Sequence, residues 1–212
     1  VSSRFETLTG EMEEGFPEYE TPPAAPMGLV GRWVDAAKQR KVREPLSLAL
    51  ATADAKGRAS NRMVAVIDVS DRGLVFTTHS SSQKGREIAA TGWASGLLYW
   101  RETAQQVIVS GPVETLPEAE SDRLWAARPP QLYPMTTASR QSEPLDDVPG
   151  LLERARRLAE EGGHSLPRPE RFVGYRLEPD TVEFWAADRE RLHRRLRYDR
   201  TPHGWEVVRL QP

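Results

Sequence analysis

The chain has 212 residues, a formal net charge of -2, and 38% hydrophobic against 28% charged residues. A chain of this length buries on the order of 70% of its unfolded surface, while the absence of cysteine excludes disulfides, thiol nucleophiles and thiolate metal sites. No apolar run approaches the ~18 residues of a membrane helix, no signal-peptide pattern opens the chain, and the slightly acidic balance gives no footprint for nucleic acid; the expectation is a cytoplasmic protein with neither a membrane nor a nucleic-acid partner.

Residues 1–26 combine acidic side chains with Pro17, Pro22, Pro23 and Pro26 and show little apolar periodicity. They read as a mobile N-terminal arm, or as a lid that orders over a ligand, ahead of a domain spanning 27–212. "MGLVGRWVDAAKQRKV" then sets Leu29, Trp33 and Ala37 on one helical face beside Val30 and Val34. "LSLALATAD", a Lys56-Gly57 turn, "ASNRMVAVIDV", an Asp71-Arg72-Gly73 turn and "LVFTTH" read as strands. Residues 62–67 and 74–78 are expected to pair as a hairpin.

"GREIAATG" predicts a short helix stopped by Gly92. "WASGLLYW" and "AQQVIVSGPVETL" predict two strands, and "PEAESDRLWAAR" a helix with Pro117 in its first turn. Residues 129–149, with their prolines, are expected to be irregular. "LLERARRLAEEGG" predicts a helix with a glycine stop, and "RFVGYRLEPDTVEFW", "RLHRRLRYDR" and "GWEVVRL" predict strands joined by turns. Consecutive strands with short connections imply an antiparallel barrel with a few helices around it, an α+β plan. No GxGxxG or GxxxxGK[ST] follows a strand. The four histidines (His79, His164, His193, His203) are scattered and no HExxH occurs, so no metal site is expected.

Three features carry positive charge in unusual places. In "RLHRRLRY" a strand puts Arg191, His193, Arg195 and Arg197 on one face and Leu192, Leu196, Tyr198 and Arg194 on the other; a helix instead stacks Arg191 near Arg195. The strand's cationic face suits an anion, or protects a solvated sheet edge. "SSSQKG" at 80–85 offers hydroxyls and a lysine at a helix start, either an anion site or an ordinary serine cap. Arg62, inside "NRMVAVI", either snorkels to solvent or reaches the same anion as Lys84.

Together, "NRMVAVI", "GLVFTTHSSSQKG", "QQVIVSGPVE", "ARPP", "ASRQS", "VEFWAADRERLHRRLRYDR" and "WEVVRLQP" resemble the pyridoxine 5′-phosphate oxidase family over roughly residues 28–212. The resemblance implies an antiparallel split β-barrel with surrounding helices that binds FMN at a homodimer interface. The cofactor set it implies is Arg62, Met63, Val64, Ala65, Thr77, Thr78, Ser82, Gln83 and Lys84, with Arg62, Ser82 and Lys84 on the phosphate. Gln106, Gln141, Ser142, Trp185 and Arg195 are implied from the facing subunit.

Arg128, Arg191 and His193 match substrate-binding positions. The chain departs from the pyridoxine phosphate oxidase pattern where a substrate lysine is Ile67, a tyrosine is Leu124 and a serine is Leu132. It also carries Gln83 in place of a flavin-phosphate arginine. Three polar contacts turned aliphatic disfavour a phosphate and suit a larger, flatter substrate. This is similar to the phenazine-biosynthesis branch, whose flavin oxidases dehydrogenate reduced phenazine carboxylates and pass the electrons to O2. The alternative is a pyridoxine/pyridoxamine 5′-phosphate oxidase of vitamin B6 metabolism. His193 stays open as proton acceptor, polariser or carboxylate ligand.

Overall fold

A computed structural model describes residues 15–162, 165–188 and 190–212. Helix α1 (Met27–Gln39) is followed by strands β1 (Ser47–Ala53), β2 (Ala59–Ala65), β3 (Asp68–Ser70) and β4 (Gly73–His79). Helix α2 (Gln83–Thr91) leads into β5 (Trp93–Trp100) and β6 (Gln105–Thr115). Helices α3 (Glu118–Ala126), α4 (Tyr133–Ala138) and α5 (Val148–Gly162) precede β7 (Phe172–Leu177), β8 (Thr181–Ala186), β9 (Arg194–Thr201) and β10 (Gly204–Leu210). All pairings are antiparallel. The main path runs β10-β9-β8-β6-β5-β1-β2, with β7, β4 and β3 branching from β6. This is the α+β split barrel expected from the sequence.

Alternation along the strands builds the core. Leu48, Leu98, Val107, Phe184 and Leu196 oppose one another in a single row across β1, β5, β6, β8 and β9, and each is 0% exposed. Burying such a side chain contributes roughly 1.5–3 kcal/mol. Helix α1 caps this row with the face expected of it: Leu29, Val30, Trp33, Val34 and Ala37 are all buried. Trp33 meets Phe184 edge-on at 5.2 Å.

Four expectations are corrected. Residues 62–65 do not pair with 74–78: β2 pairs with β1 alone, and the chain breaks so that the short β3 forms the hairpin with β4. Residues 129–149 are not wholly irregular, because α4 forms there with Pro134 in its first turn. Strand β9 starts at Arg194 rather than Arg191, so Arg191 and His193 lie in the preceding loop and Leu192 is exposed. Nor is β9 an edge, since β8 and β10 flank it. The glycine stop expected after α5 runs into residues 163–164, which, like His164 itself, lie outside the described residues.

The proposed arm divides. Residues 1–14 lie outside the described residues, whereas 15–26 pack on the barrel. Phe16 is buried against Trp33 at 4.9 Å, the Tyr198 hydroxyl donates to the Pro23 carbonyl at 3.1 Å, and Arg209 donates to the Tyr19 carbonyl at 2.9 Å. Phe16→Ala is therefore expected to destabilise the fold by about 3 kcal/mol or more in denaturant unfolding, where a mobile arm gives no measurable change.

Candidate functional site

The turn between β4 and α2 gathers groups able to hold an anion. Ser82, fully buried, caps α2 and accepts from the Gly85 amide at 3.3 Å. A Cβ on Gly85 would stand 2.3 Å from the Ser80 carbonyl oxygen, so only glycine lets the helix start this close to the turn. The Lys84 ammonium donates to the Thr78 hydroxyl at 3.1 Å. Burial, and then the charge of Arg62, lowers its pKa, with Glu87 opposing. Among the described residues no carboxylate lies within ion-pair distance of Lys84. A half-buried ammonium without a counter-ion, beside a serine-capped helix start, fits a phosphate group.

Arg62 projects from β2 toward this turn without snorkelling. Its Nη1 donates to the Leu50 carbonyl at 3.2 Å and to the Thr52 hydroxyl. Its Nη2 donates to Ser60 and to Glu87 Oε2, the latter at 3.3 Å. Glu87 also accepts from Thr52, from Ser60 at 2.6 Å and from Gln83 at 2.9 Å. Burial pushes its carboxyl up, but donors from Ser60, Thr52, Gln83 and Arg62 outweigh that and hold it at about 2. The sequence reading missed Glu87: four residues after Gln83 on a short helix, it looks like a solvated acid until the β1–β2 pairing brings Thr52, Ser60 and Arg62 beneath it.

Gln141 and Ser142, expected with the facing subunit's set, instead meet this turn within one chain. Thr78 donates to Gln141 Oε1 at 2.8 Å, and the Gln83 amide donates to Ser142 Oγ at 3.1 Å. Arg171 ties the approach to this segment through the carbonyls of Thr136, Thr137 and Ser139. His79, a second residue missed from sequence, is 0% exposed and accepts the Gln141 amide at Nδ1, 3.4 Å away. Burial, then the charges of Arg171, Lys84 and Arg128, pushes it down to about 4.

Gln106, Trp185 and Arg195 form a second group. They oppose one another directly across β6, β8 and β9. Arg195 donates to Glu183 at 2.7 Å and to the Gln211 carbonyl at 3.1 Å; Arg197 pairs with Asp199 at 2.7 Å. The face expected to be purely cationic is thus laced with carboxylates. Five strand steps separate β2 from β9, about 24 Å along the sheet at ~4.8 Å each.

The expected substrate residues are not gathered in one place within the chain. The Arg128 guanidinium lies 4.8 Å over the Phe172 ring and 5.7 Å from that of Trp125. Leu124 is a core residue, packed with Val75 and Leu116, not a pocket wall. Ile67 and Leu132 are 44% and 45% exposed. Arg191 is exposed and holds a left-handed backbone, φ 66°. His193 lies against Trp185 with ring centroids 4.8 Å apart, and its Nδ1 accepts the Asp188 amide at 3.1 Å. Of the remaining flavin candidates, Met63 is 60% exposed, Val64 packs on the core, Ala65 is exposed and Thr77 is partly buried.

These features define a split-barrel protein with a serine-capped, lysine-bearing turn beside the β2 end of the sheet path and an aromatic-arginine row near the other. The chain belongs to the pyridoxamine 5′-phosphate oxidase family: residues 34–186 match its model, and residues 172–212 match the pyridoxine 5′-phosphate oxidase C-terminal dimerisation region. It is 53% identical to dihydrophenazinedicarboxylate synthase of Burkholderia lata over 211 residues, covering 100% of this chain and 99% of that protein. It is 43% identical to a pyridoxine/pyridoxamine 5′-phosphate oxidase of Burkholderia multivorans, covering 88% and 89% respectively. The crystal structure of PhzG from Burkholderia lata, in complex with tetrahydrophenazine-1-carboxylic acid, matches with TM-score 0.93 at 52% identity, covering 96% of this chain and 100% of that one.

His79 gives the site a testable acid response. Its folded pKa of about 4 lies below the ~6.5 of an unfolded histidine, so the unfolded state binds the extra proton. The stabilisation conferred by a neutral His79 is complete above pH 6.5 and is lost as pH falls toward 4. From pH 7 to pH 4 the stability of His79→Asn is expected to gain on that of the wild type by up to about 3 kcal/mol, measured by urea unfolding at each pH.

Proposed function

We propose that this chain is an FMN-dependent oxidase of phenazine biosynthesis that dehydrogenates reduced phenazine carboxylates or dicarboxylates. The observation that carries this reading is the match over nearly the whole chain to PhzG from Burkholderia lata in complex with tetrahydrophenazine-1-carboxylic acid. The chain's own residues agree. Ile67 and Leu132 present exposed aliphatic side chains, and Arg128, Arg191 and His193 supply partners for carboxylates.

Residues 27–212 form the FMN-binding domain. The phosphate is held by Ser82, Lys84 and Arg62, with Thr78, Gln141 and Ser142 around it. Gln106, Trp185 and Arg195 serve the flavin of the partner protomer. The span along the sheet between β2 and β9 supports this division between two chains, as does the match to a dimerisation region over 172–212. FMN, when bound, accepts a hydride and delivers the electrons to O2. The protein positions the substrate and excludes water, and a substrate approaching aromaticity demands no strong base.

His193 acts as a donor in this scheme. A backbone N–H faces its Nδ1, so the neutral ring carries its proton on Nε2. Burial, then Arg191, lowers its pKa, with Asp188 opposing. A neutral Nε2–H suits a carboxylate oxygen rather than proton abstraction. The left-handed backbone at Arg191 turns the chain between His193 and Asp188 and costs on the order of 1 kcal/mol, a strain typical of functional loops.

The purified protein is expected to be yellow with bound FMN. Under anaerobic conditions tetrahydrophenazine-1-carboxylic acid should bleach it and pyridoxine 5′-phosphate should not; the reverse pattern overturns the assignment. Arg195→Ala is expected to weaken FMN binding about tenfold or more, the loss of one charge-assisted hydrogen bond. Arg191→Ala should retain FMN and raise KM for the reduced phenazine.

A further inference from the structure

Glu87 is, among the described residues, the one carboxylate at the phosphate turn, and it is 6% exposed. It belongs to no assigned set, yet it touches two residues that do. It draws Arg62 from β2 and Gln83 from the start of α2 onto one group, together with Thr52 from β1 and Ser60 from β2.

The arrangement has two consequences. A guanidinium carries five N–H donors. Four of those of Arg62 are engaged by Leu50, Thr52, Ser60 and Glu87, which leaves Nε–H uncommitted. Arg62 is therefore clamped from three elements and does not swing freely toward a ligand. Charge is the second consequence. Of the side chains assigned to the phosphate, Lys84 and Arg62 bring two positive charges and Glu87 offsets one, while Gln83 beside them is neutral and turned back onto Glu87, and the exposed Arg86 is engaged outside that set by the Ser81 carbonyl. A phosphate monoester of about -1.5 to -2 thus meets a cradle of net charge near +1.

We propose that Glu87 is a positioning residue that sets how tightly the flavin phosphate is held: it fixes Arg62 on the β1–β2 hairpin and offsets one of the two cradle charges, so that FMN is bound in register but remains exchangeable. This rests on the phosphate reading given above. A purely structural strut would affect flavins with and without phosphate alike. A residue acting on the phosphate through Arg62 affects FMN alone.

The test compares FMN with riboflavin by fluorescence titration of flavin-stripped, full-length protein. Glu87→Gln keeps the shape and removes the charge. It is expected to tighten FMN binding about threefold to tenfold and to leave riboflavin within about twofold; in an Arg62→Gln background the gain should be smaller, since only the effect of the Glu87 charge on Lys84 and the phosphate is left. Unchanged FMN affinity, or FMN and riboflavin weakening together, overturns the proposal. Should Glu87→Gln fail to fold, the ionic-strength dependence of FMN binding to the unaltered protein decides. A cradle of net charge near +1 loses less than about fourfold in affinity between about 20 and about 200 mM salt, and a larger loss overturns it. Lys84→Gln separates the two levels: if it leaves the preference for FMN over riboflavin intact, the phosphate reading itself fails.

Discussion

Strand β6 belongs to two sheets, and the rest of the molecule depends on that double membership. Its first half lies between β5 and β8, and its last residues pair with β7. The switch falls at Ser110-Gly111-Pro112. There the β7–β8 turn crosses so closely that a Cβ on Gly111 would lie 2.0 Å from the Glu178 carbonyl oxygen. The Glu178 and Asp180 amides donate to the Pro112 and Ser110 carbonyls on either side of that glycine, each at 2.9 Å. Any side chain at 111 forces the turn away from β6 and opens the barrel where the two sheets join. A proline follows at no cost in hydrogen bonds, because the ladder is already changing partners at that point.

From β6 outward, core and site are two readings of the same register. Val107, Phe184 and Leu196 are fully buried; their immediate neighbours Gln106, Trp185 and Arg195 form the adjacent row. A slip of one residue in either pairing would turn Arg195 into the core and Leu196 out of it. The hydrophobic row under α1 therefore enforces the alignment of the aromatic-arginine row with an energy far larger than any contact within that row. The placement of the second group is thus a by-product of folding and needs no ligand to assemble.

Much of this was legible in the sequence because period governs it. The α1 face, the alternation in β1, β5 and β6, and the glycine stop of α2 each follow from spacing alone. Errors arose where a tertiary contact overrides a continuous pattern. "NRMVAVIDV" reads as one strand, yet it breaks so that the Ile67 amide can reach the Val75 carbonyl at 2.8 Å. Arg191 and His193 keep the alternation of β9 but stand outside its ladder. Gln141 and Ser142 return to the β4–α2 turn only because Arg171, some thirty residues on, gathers three carbonyls of the preceding chain. Glu87 had no distinguishing signal, since apart from Gln83 on its own helix its partners come from β1 and β2, distant in sequence.

The arginine-rich stretch near the C-terminus shows why a nearly neutral chain can concentrate so much charge. Three of the four arginines of β9 have a local acceptor: Arg195 meets Glu183, Arg197 meets Asp199, and Arg200 donates to the Pro179 carbonyl while lying 4.5 Å over Trp205. Glu183 across the strand pair and Asp199 on β9 itself thereby hold the guanidinium groups of Arg195 and Arg197 in fixed directions and offset their mutual repulsion. Arg191, three residues before that strand and itself in the left-handed conformation, lies in the exposed loop instead. Neutralisation at one end and exposure at the other divide a single run of sequence into a rigid row of paired arginines and an exposed loop cation. The same logic recurs at Arg62, where a carboxylate holds a cation in place and moderates it.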